Sequence, residues 1–113
     1  MPYNEIIADR IREQLVDLAG LEEKEMMGGI AFMYQQKMCV GVIQDSLLCR
    51  IDPALYEEAL ERNGCRPMDL TGRPMKGWVL VDEEAIRSRL EFEYWVNLAL
   101  DYNSKALVSN KKR

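Results

Sequence analysis

Apolar positions recur along this chain first at helical spacing and then in short unbroken runs. Between Tyr3 and Leu18, Ile7, Ile11, Leu15 and Leu18 share one stripe, while Glu5, Asp9, Arg12, Glu13 and Asp17 fall largely on the other faces. The spacing predicts an amphipathic helix, capped by Asn4 and ended by Gly20 in a left-handed conformation. Gly29 to Tyr34 (GIAFMY), Met38 to Ile43 (MCVGVI) and Ser46 to Ile51 (SLLCRI) are then apolar runs broken by Gln35-Gln36-Lys37 and Gln44-Asp45. Hairpin-sized breaks between such runs predict an antiparallel meander of three strands. Gly28, Gly29 and Gly41 suggest a bulge or a close backbone approach, and glycines with β-branched residues at this density argue against a buried helix.

The second half returns to helical spacing with one interruption. Asp52-Pro53 is a helix start, because the carboxylate accepts free backbone N–H groups and proline needs no donor at the first position. Leu55, Tyr56, Ala59 and Leu60 give that helix its inner stripe, and Asn63-Gly64 stops it. Prolines and glycines from Cys65 to Gly77 predict a long extended loop with a turn at Thr71-Gly72. Trp78 to Val81 reads as a fourth strand, with Asp82 capping a short helix over Glu83 to Arg87. Ser88 and Glu91 fit a capping box, in which each side chain satisfies the other's backbone N–H. The last helix is expected from there to about Leu107, with Leu90, Tyr94, Trp95, Leu98, Ala99 and Tyr102 on its apolar face. The expected core comprises Ile11, Leu15, Phe32, Val40, Val42, Leu47, Ile51, Val79, Trp95 and Leu98. The fold class is α+β: an antiparallel sheet, a three-stranded meander plus a later strand, covered by amino- and carboxy-terminal helices.

Composition narrows the chemistry. At 113 residues and 48% apolar, residues 1–108 are expected to form a single domain with a sizeable core, followed by a flexible basic tail over 109–113. The net charge of −4 is divided unevenly: Arg62 to Trp78 carries +3 and the segment from Lys105 to Arg113 carries four positive charges. The acidic remainder disfavours tight non-specific nucleic-acid binding, although a local basic patch can hold one anionic group. The three cysteines, Cys39, Cys49 and Cys65, are odd in number and widely spaced, which argues against a disulfide framework and for a reducing, cytoplasmic setting. No apolar run reaches the roughly 18 residues of a membrane span, and no signal peptide is evident.

The absence of histidine excludes serine–histidine and cysteine–histidine pairs and histidine metal ligation. No cofactor and no metal are expected. Cys39 and Cys49 read as small core residues, and Cys65 as the candidate exposed thiol, with Arg66 able to lower its pKa. Glu22, Glu23 and Glu25 read as a charged approach to the first strand; the other reading makes them acid/base or metal carboxylates. Met26, Met27, Met33, Met38, Met68 and Met75 either fill core gaps or form an adaptable partner-binding surface. Arg66, Arg73, Lys76 and Trp78 are the best binding candidates: cationic donors and a flat apolar face on a loop stiffened by Pro67 and Pro74. The alternative is that this loop only packs across the sheet.

Three segments resemble the amino-terminal domain of the TfoX (Sxy) family, linked to regulation of natural competence in bacteria. They are Lys24 to Met33 (KEMMGGIAFM), Met38 to Val42 (MCVGV) followed by Leu47 to Ile51 (LLCRI), and Arg66 to Trp78 (RPMDLTGRPMKGW). The third is the most specific, and the likeness extends from Tyr3 to Tyr102. Met27 stands where the family usually has an aromatic residue, and Gln36-Lys37 where its turn often holds glycine. The resemblance implies helices packed on an antiparallel sheet, similar to YjbR-like domains. It implies competence or transcription regulation and transfers no catalytic residue. The leading expectation is therefore a non-enzymatic cytoplasmic module that acts through a protein partner or a small anionic ligand, with a homodimer left open and no membrane partner. The alternatives are an enzyme of unrecognised type using carboxylates with Arg73 and Lys76, and a nucleic-acid-associated regulator.

Overall fold

A computed structural model describes residues 3–26, 28–68 and 75–105, with the Met26 side chain excepted. Helix α1 (Glu5–Gln14) is followed by strands β1 (Glu22–Met26), β2 (Gly29–Tyr34), β3 (Lys37–Ile43) and β4 (Ser46–Arg50). A 3-10 turn (Pro53–Leu55) leads into helix α2 (Tyr56–Leu60). Strands β5 (Cys65–Pro67) and β6 (Trp78–Asp82), a second 3-10 turn (Glu83–Ile86) and helix α3 (Arg89–Asn103) complete the order. The strands form one antiparallel sheet in the order β1-β2-β3-β4-β6-β5. The fold class is α+β, as the pattern predicts, with two strands more than the pattern shows.

Both faces of the sheet are buried, which is why the central strands read as unbroken apolar runs rather than alternating ones. The three helices share the larger core with Phe32, Val40, Val42, Leu47, Cys49, Ile51, Val79 and Val81. On the opposite face, Ala31, Met33, Met38, Ile43, Leu48, Met68 and Leu80 form a second, smaller cluster with Trp78 packed against it. Nine of the ten expected core residues are buried, and Leu98 is half-buried at the margin. The ladder between β2 and β3 slips between Phe32 and Met33, at Cys39 rather than at a glycine. The close backbone approach expected of the glycines is present: a Cβ on Gly41 would lie 2.6 Å from the Ile30 carbonyl oxygen.

Local chemistry accounts for the boundaries. The Asn4 side chain accepts from the Ile6 and Ile7 amides at 2.9 and 3.2 Å, as expected of a cap. Helix α1 stops earlier than its stripe suggests, at Gln14; Leu15 and Leu18 reach the core from the following turn, and Gly20 adopts φ +82° on the way into β1. Asp52 accepts from the Ala54 amide at 2.9 Å, as an N-cap should. Gln35 and Gln36 both hold positive φ in the tight β2–β3 turn, a conformation that disfavours side chains. Anchors beside the turn hold it. The Lys37 ammonium donates to the Asn103 carbonyl at 2.9 Å, and the Asn103 side-chain amide donates to the Tyr34 carbonyl at 3.2 Å.

Six expectations are corrected. Glu22, Glu23 and Glu25 do not approach the first strand; they are most of an edge strand, β1. The start of the supposed loop, Cys65 to Pro67, pairs with β6. Asp82 makes no side-chain cap, because its carboxylate takes Arg66 instead. Ser88 caps α3 by accepting from the Glu91 amide at 3.1 Å, but the Glu91 carboxylate is taken by Arg62 rather than returning to Ser88. The buried stripe of α3 is also rotated from the expected one, to Phe92, Trp95, Val96, Ala99 and Asn103, leaving Leu90 79% exposed. The helix ends at Asn103, short of Leu107. The turn at Thr71-Gly72 and the tail over 109–113 lie outside the described residues.

Candidate functional site

Strands β4, β6 and β5 lie side by side and alternate their side chains between the two faces. The face away from the helices therefore receives Ser46, Leu48 and Arg50 from β4, Trp78, Leu80 and Asp82 from β6, and Arg66 from β5. Arg66 is spent within this row. Its Nε donates to the Asp82 carboxylate at 2.9 Å and one terminal nitrogen donates to the buried Ser46 hydroxyl at 2.8 Å. Arg66 thus staples the short edge strand to β6 and, beyond it, to β4. Arg66→Ala is expected to cost about 1 kcal/mol, the order of one half-exposed ion pair with a hydrogen bond. A thermal melt checks this, and an unchanged melting temperature would contradict the staple.

Trp78 lies at the end of the same face, and Lys76 stands in the turn that leads into its strand. Trp78 is half-buried on the second cluster. Its cross-strand partner Arg50 places its guanidinium carbon 5.0 Å from the indole centroid, a cation–π arrangement. Lys76 is exposed at the turn before β6, next to Met75, which is also exposed. The stem is pinned by backbone: the Met68 amide donates to the Trp78 carbonyl at 3.2 Å, Met75 to Met68 at 3.3 Å, and Trp78 to Met75 at 3.0 Å. Gly77 is fastened below, its carbonyl accepting from the Ile51 amide at 2.7 Å. Lys76 and Trp78 are therefore displayed from a fixed base.

The other expected site residues fall elsewhere. Arg73 and Met27 lie outside the described residues. Met26 ends β1, four strand spacings from β6, on the order of 19 Å away, so it does not share a site with Trp78. Met33, Met38 and Met68 are buried fillers of the second cluster rather than an adaptable surface.

Burial holds the thiols in their protonated form. Burial pushes Cys39 up to about 12 and Cys49 well above its ordinary value. Cys65, the candidate exposed thiol, is half-buried and pushed up to about 11, because burial outweighs the lowering by Arg62 and Arg66. Alkylation by iodoacetamide at neutral pH is therefore expected to be slow in the native protein and complete after denaturation. The raised values have a second consequence. The folded thiols hold their protons above the ordinary value of 9.0, so their contribution to stability is fully present below that pH. It declines as pH rises from 9.0 through about 11 for Cys65 and about 12 for Cys39. Urea midpoints measured across this range should fall; a midpoint that rises would contradict the sign.

Sequence reasoning passed over Arg62. This residue follows α2 and reaches α3, where one terminal nitrogen donates to both Glu91 carboxylate oxygens at 3.1 and 3.2 Å. Its guanidinium carbon lies 3.9 Å from the Tyr94 ring centroid, and its Nε is buried without an acceptor. Arg62 lines a cleft of about 520 Å³ with Asn63, Glu84, Ala85, Ser88 and Glu91. Only the departure of Glu91 from its capping box signals it, and that is invisible before the fold is known. Among the described residues, no group of three or more cysteine, aspartate or glutamate side chains is arranged to hold a metal ion, and no helix is long and apolar enough to cross a membrane.

Compared with known protein families, the chain matches the model of the TfoX N-terminal domain over residues 13–102. No curated protein and no solved structure matches the chain. A match across most of the chain, on a helix-covered antiparallel sheet, settles the relationship: the protein belongs to the TfoX N-terminal domain family.

Proposed function

We propose that this protein is a non-catalytic, cytoplasmic binding module with a regulatory role, and that it docks an anionic group at the corner formed by Lys76 and Trp78. The anion is an acidic segment of a protein partner or a small anionic ligand. The observation that carries this reading is the pinned stem. It presents an exposed lysine beside a half-buried tryptophan, within a segment carrying +3 on a chain of net −4. Arg62 and Arg66 are held in ion pairs, so among the described residues of this segment Lys76 is the cation offered to an acidic partner, and the fixed backbone lowers the ordering cost of binding. Membership in the TfoX N-terminal domain family supports regulation, of competence or transcription, over metabolism. The enzymatic reading loses support from the buried, poorly ionised thiols and from the use of Arg66, Asp82, Arg62 and Glu91 in structural pairs.

The paired variant Arg73→Ala, Lys76→Ala tests the site. It is expected to keep the melting temperature of the parent to within about 2 °C, since an exposed charge such as that of Lys76 contributes little to stability. It is expected to lose at least about tenfold in affinity for the acidic partner, with a weaker salt dependence than the parent. A variant that melts much earlier would make the two cations structural. A variant that keeps full affinity would place the site elsewhere.

A further inference from the structure

The two edges of the sheet are built differently. At one end, β5 has three residues and finishes in Pro67, which has no N–H to offer. At the other, β1 has five residues, no proline and an unbroken register with β2. Among the described residues no strand lies on its outer side. Glu22, Glu23, Lys24 and Glu25 are all exposed. An edge of this kind presents a row of unpaired backbone donors and acceptors, a template for another strand.

The side chains decide which strand it takes. Glu23 points to the helix-covered face, where Arg12 holds it through hydrogen bonds of 2.8 and 2.9 Å. Glu25 shares that face and Glu22 takes the other, and neither has an ionic partner among the described residues. An incoming strand thus meets Glu25 unpaired beside the Arg12-held Glu23 on the helix-covered face, and Glu22 next to Lys24 on the other, so it is the helix-covered face that favours cations at alternate positions. A second copy of this chain is a poor occupant. In the fully overlapped antiparallel register, centred on Lys24, Lys24 meets Lys24 and Glu23 meets Glu25 twice, and like charges directly opposite are destabilising. The charges that keep identical edges apart leave the backbone open to a strand of opposite sign.

We propose that the outer edge of β1 is a docking edge for an extended segment of another protein bearing lysine or arginine at alternate positions, which adds to the sheet as a seventh strand. This surface is distinct from the Lys76–Trp78 corner, lies across the sheet from it and selects the opposite charge, so the two proposals stand or fall separately.

The experiment uses the full chain, isotopically labelled, and a nine-residue peptide with lysine at alternate positions and threonine or valine between them. Amide resonances of residues 22–26 are expected to shift and to gain protection from hydrogen exchange. A peptide of the same sequence, N-methylated at alternate backbone nitrogens, is expected to bind at least about tenfold more weakly, because it keeps the charge and loses the ladder. The Glu22→Lys, Glu25→Lys variant is expected to fold with an unchanged circular dichroism spectrum and to weaken binding of the unmodified peptide by a similar factor. Equal binding of both peptides by the parent protein would reduce the effect to general electrostatic attraction and overturn the proposal. So would shifts confined to other strands, an absence of shifts at millimolar peptide, or β1 protection that grows with protein concentration in the absence of peptide.

Discussion

Replacing Trp95 with alanine is expected to cost about 3–5 kcal/mol, a large part of the roughly 5–15 kcal/mol that holds a domain of this size together. Trp95 has no exposed surface, and it heads the fully buried side chains by volume. It sits mid-way along α3, facing β3 and β4, and its ring meets Tyr94 edge-on at 5.2 Å between centroids. Its indole N–H is buried without an acceptor, so the native state already bears a desolvation cost there. Removing the whole side chain therefore recovers a little while opening a large cavity. Trp95→Phe separates the two effects, because it deletes the orphan N–H and keeps most of the volume. It is expected to cost less than about 2 kcal/mol. Urea unfolding with an unchanged slope measures both. Equal losses for the two variants would mean that the N–H has a partner and that packing is not what Trp95 supplies.

Gly41→Ala is expected to be nearly as damaging, about 3 kcal/mol or more, although it adds one methyl group. The new Cβ would stand 2.6 Å from the Ile30 carbonyl oxygen, 3.1 Å from the Met38 methyl and 3.4 Å from the Ala31 Cα. The methionine tip can move, but the carbonyl belongs to the β2–β3 ladder and cannot shift without parting the two strands. Gly20→Ala is the control. Nothing lies within 4 Å of a Cβ there, and the only strain is its φ of +82°. That strain is worth about 1 kcal/mol. A thermal melt in which Gly20→Ala falls further than Gly41→Ala would show that the sheet gives way at the glycine.

The apolar runs made β2, β3, β4 and β6 legible, because strands buried on both faces leave a continuous signal and their turns leave polar breaks. Strand β1 was not legible. Its residues, EEKEM, have an edge strand's charges, and pairing with β2 holds them extended rather than any apolar pattern of their own. Strand β5 was hidden because three residues ending in proline read as loop. The stripe of α3 was misplaced for a different reason. Leu90, Tyr94 and Leu98 repeat at four-residue spacing just as Phe92, Val96 and Leu100 do, and only the position of the sheet chooses between them. The candidate site was drawn from the sequence as a cationic loop with a tryptophan. Its internal assignments were not legible, since nothing in the order of residues shows that Arg66 reaches Asp82 and Ser46 while Lys76 remains exposed.

The central claim is that binding takes place at the Lys76–Trp78 corner. The most direct measurement places a photoreactive amino acid at Met75, the exposed neighbour that leaves Lys76 in place, and, in a second preparation, at Glu57, which is exposed on α2 on the helix side. Each is irradiated in cells. The account predicts a discrete crosslinked species from position 75, absent from position 57 and lost when Arg73→Ala and Lys76→Ala are added, whose captured protein binds the purified parent through an acidic segment. The same species from both positions, or crosslinks at 57 alone, would contradict it.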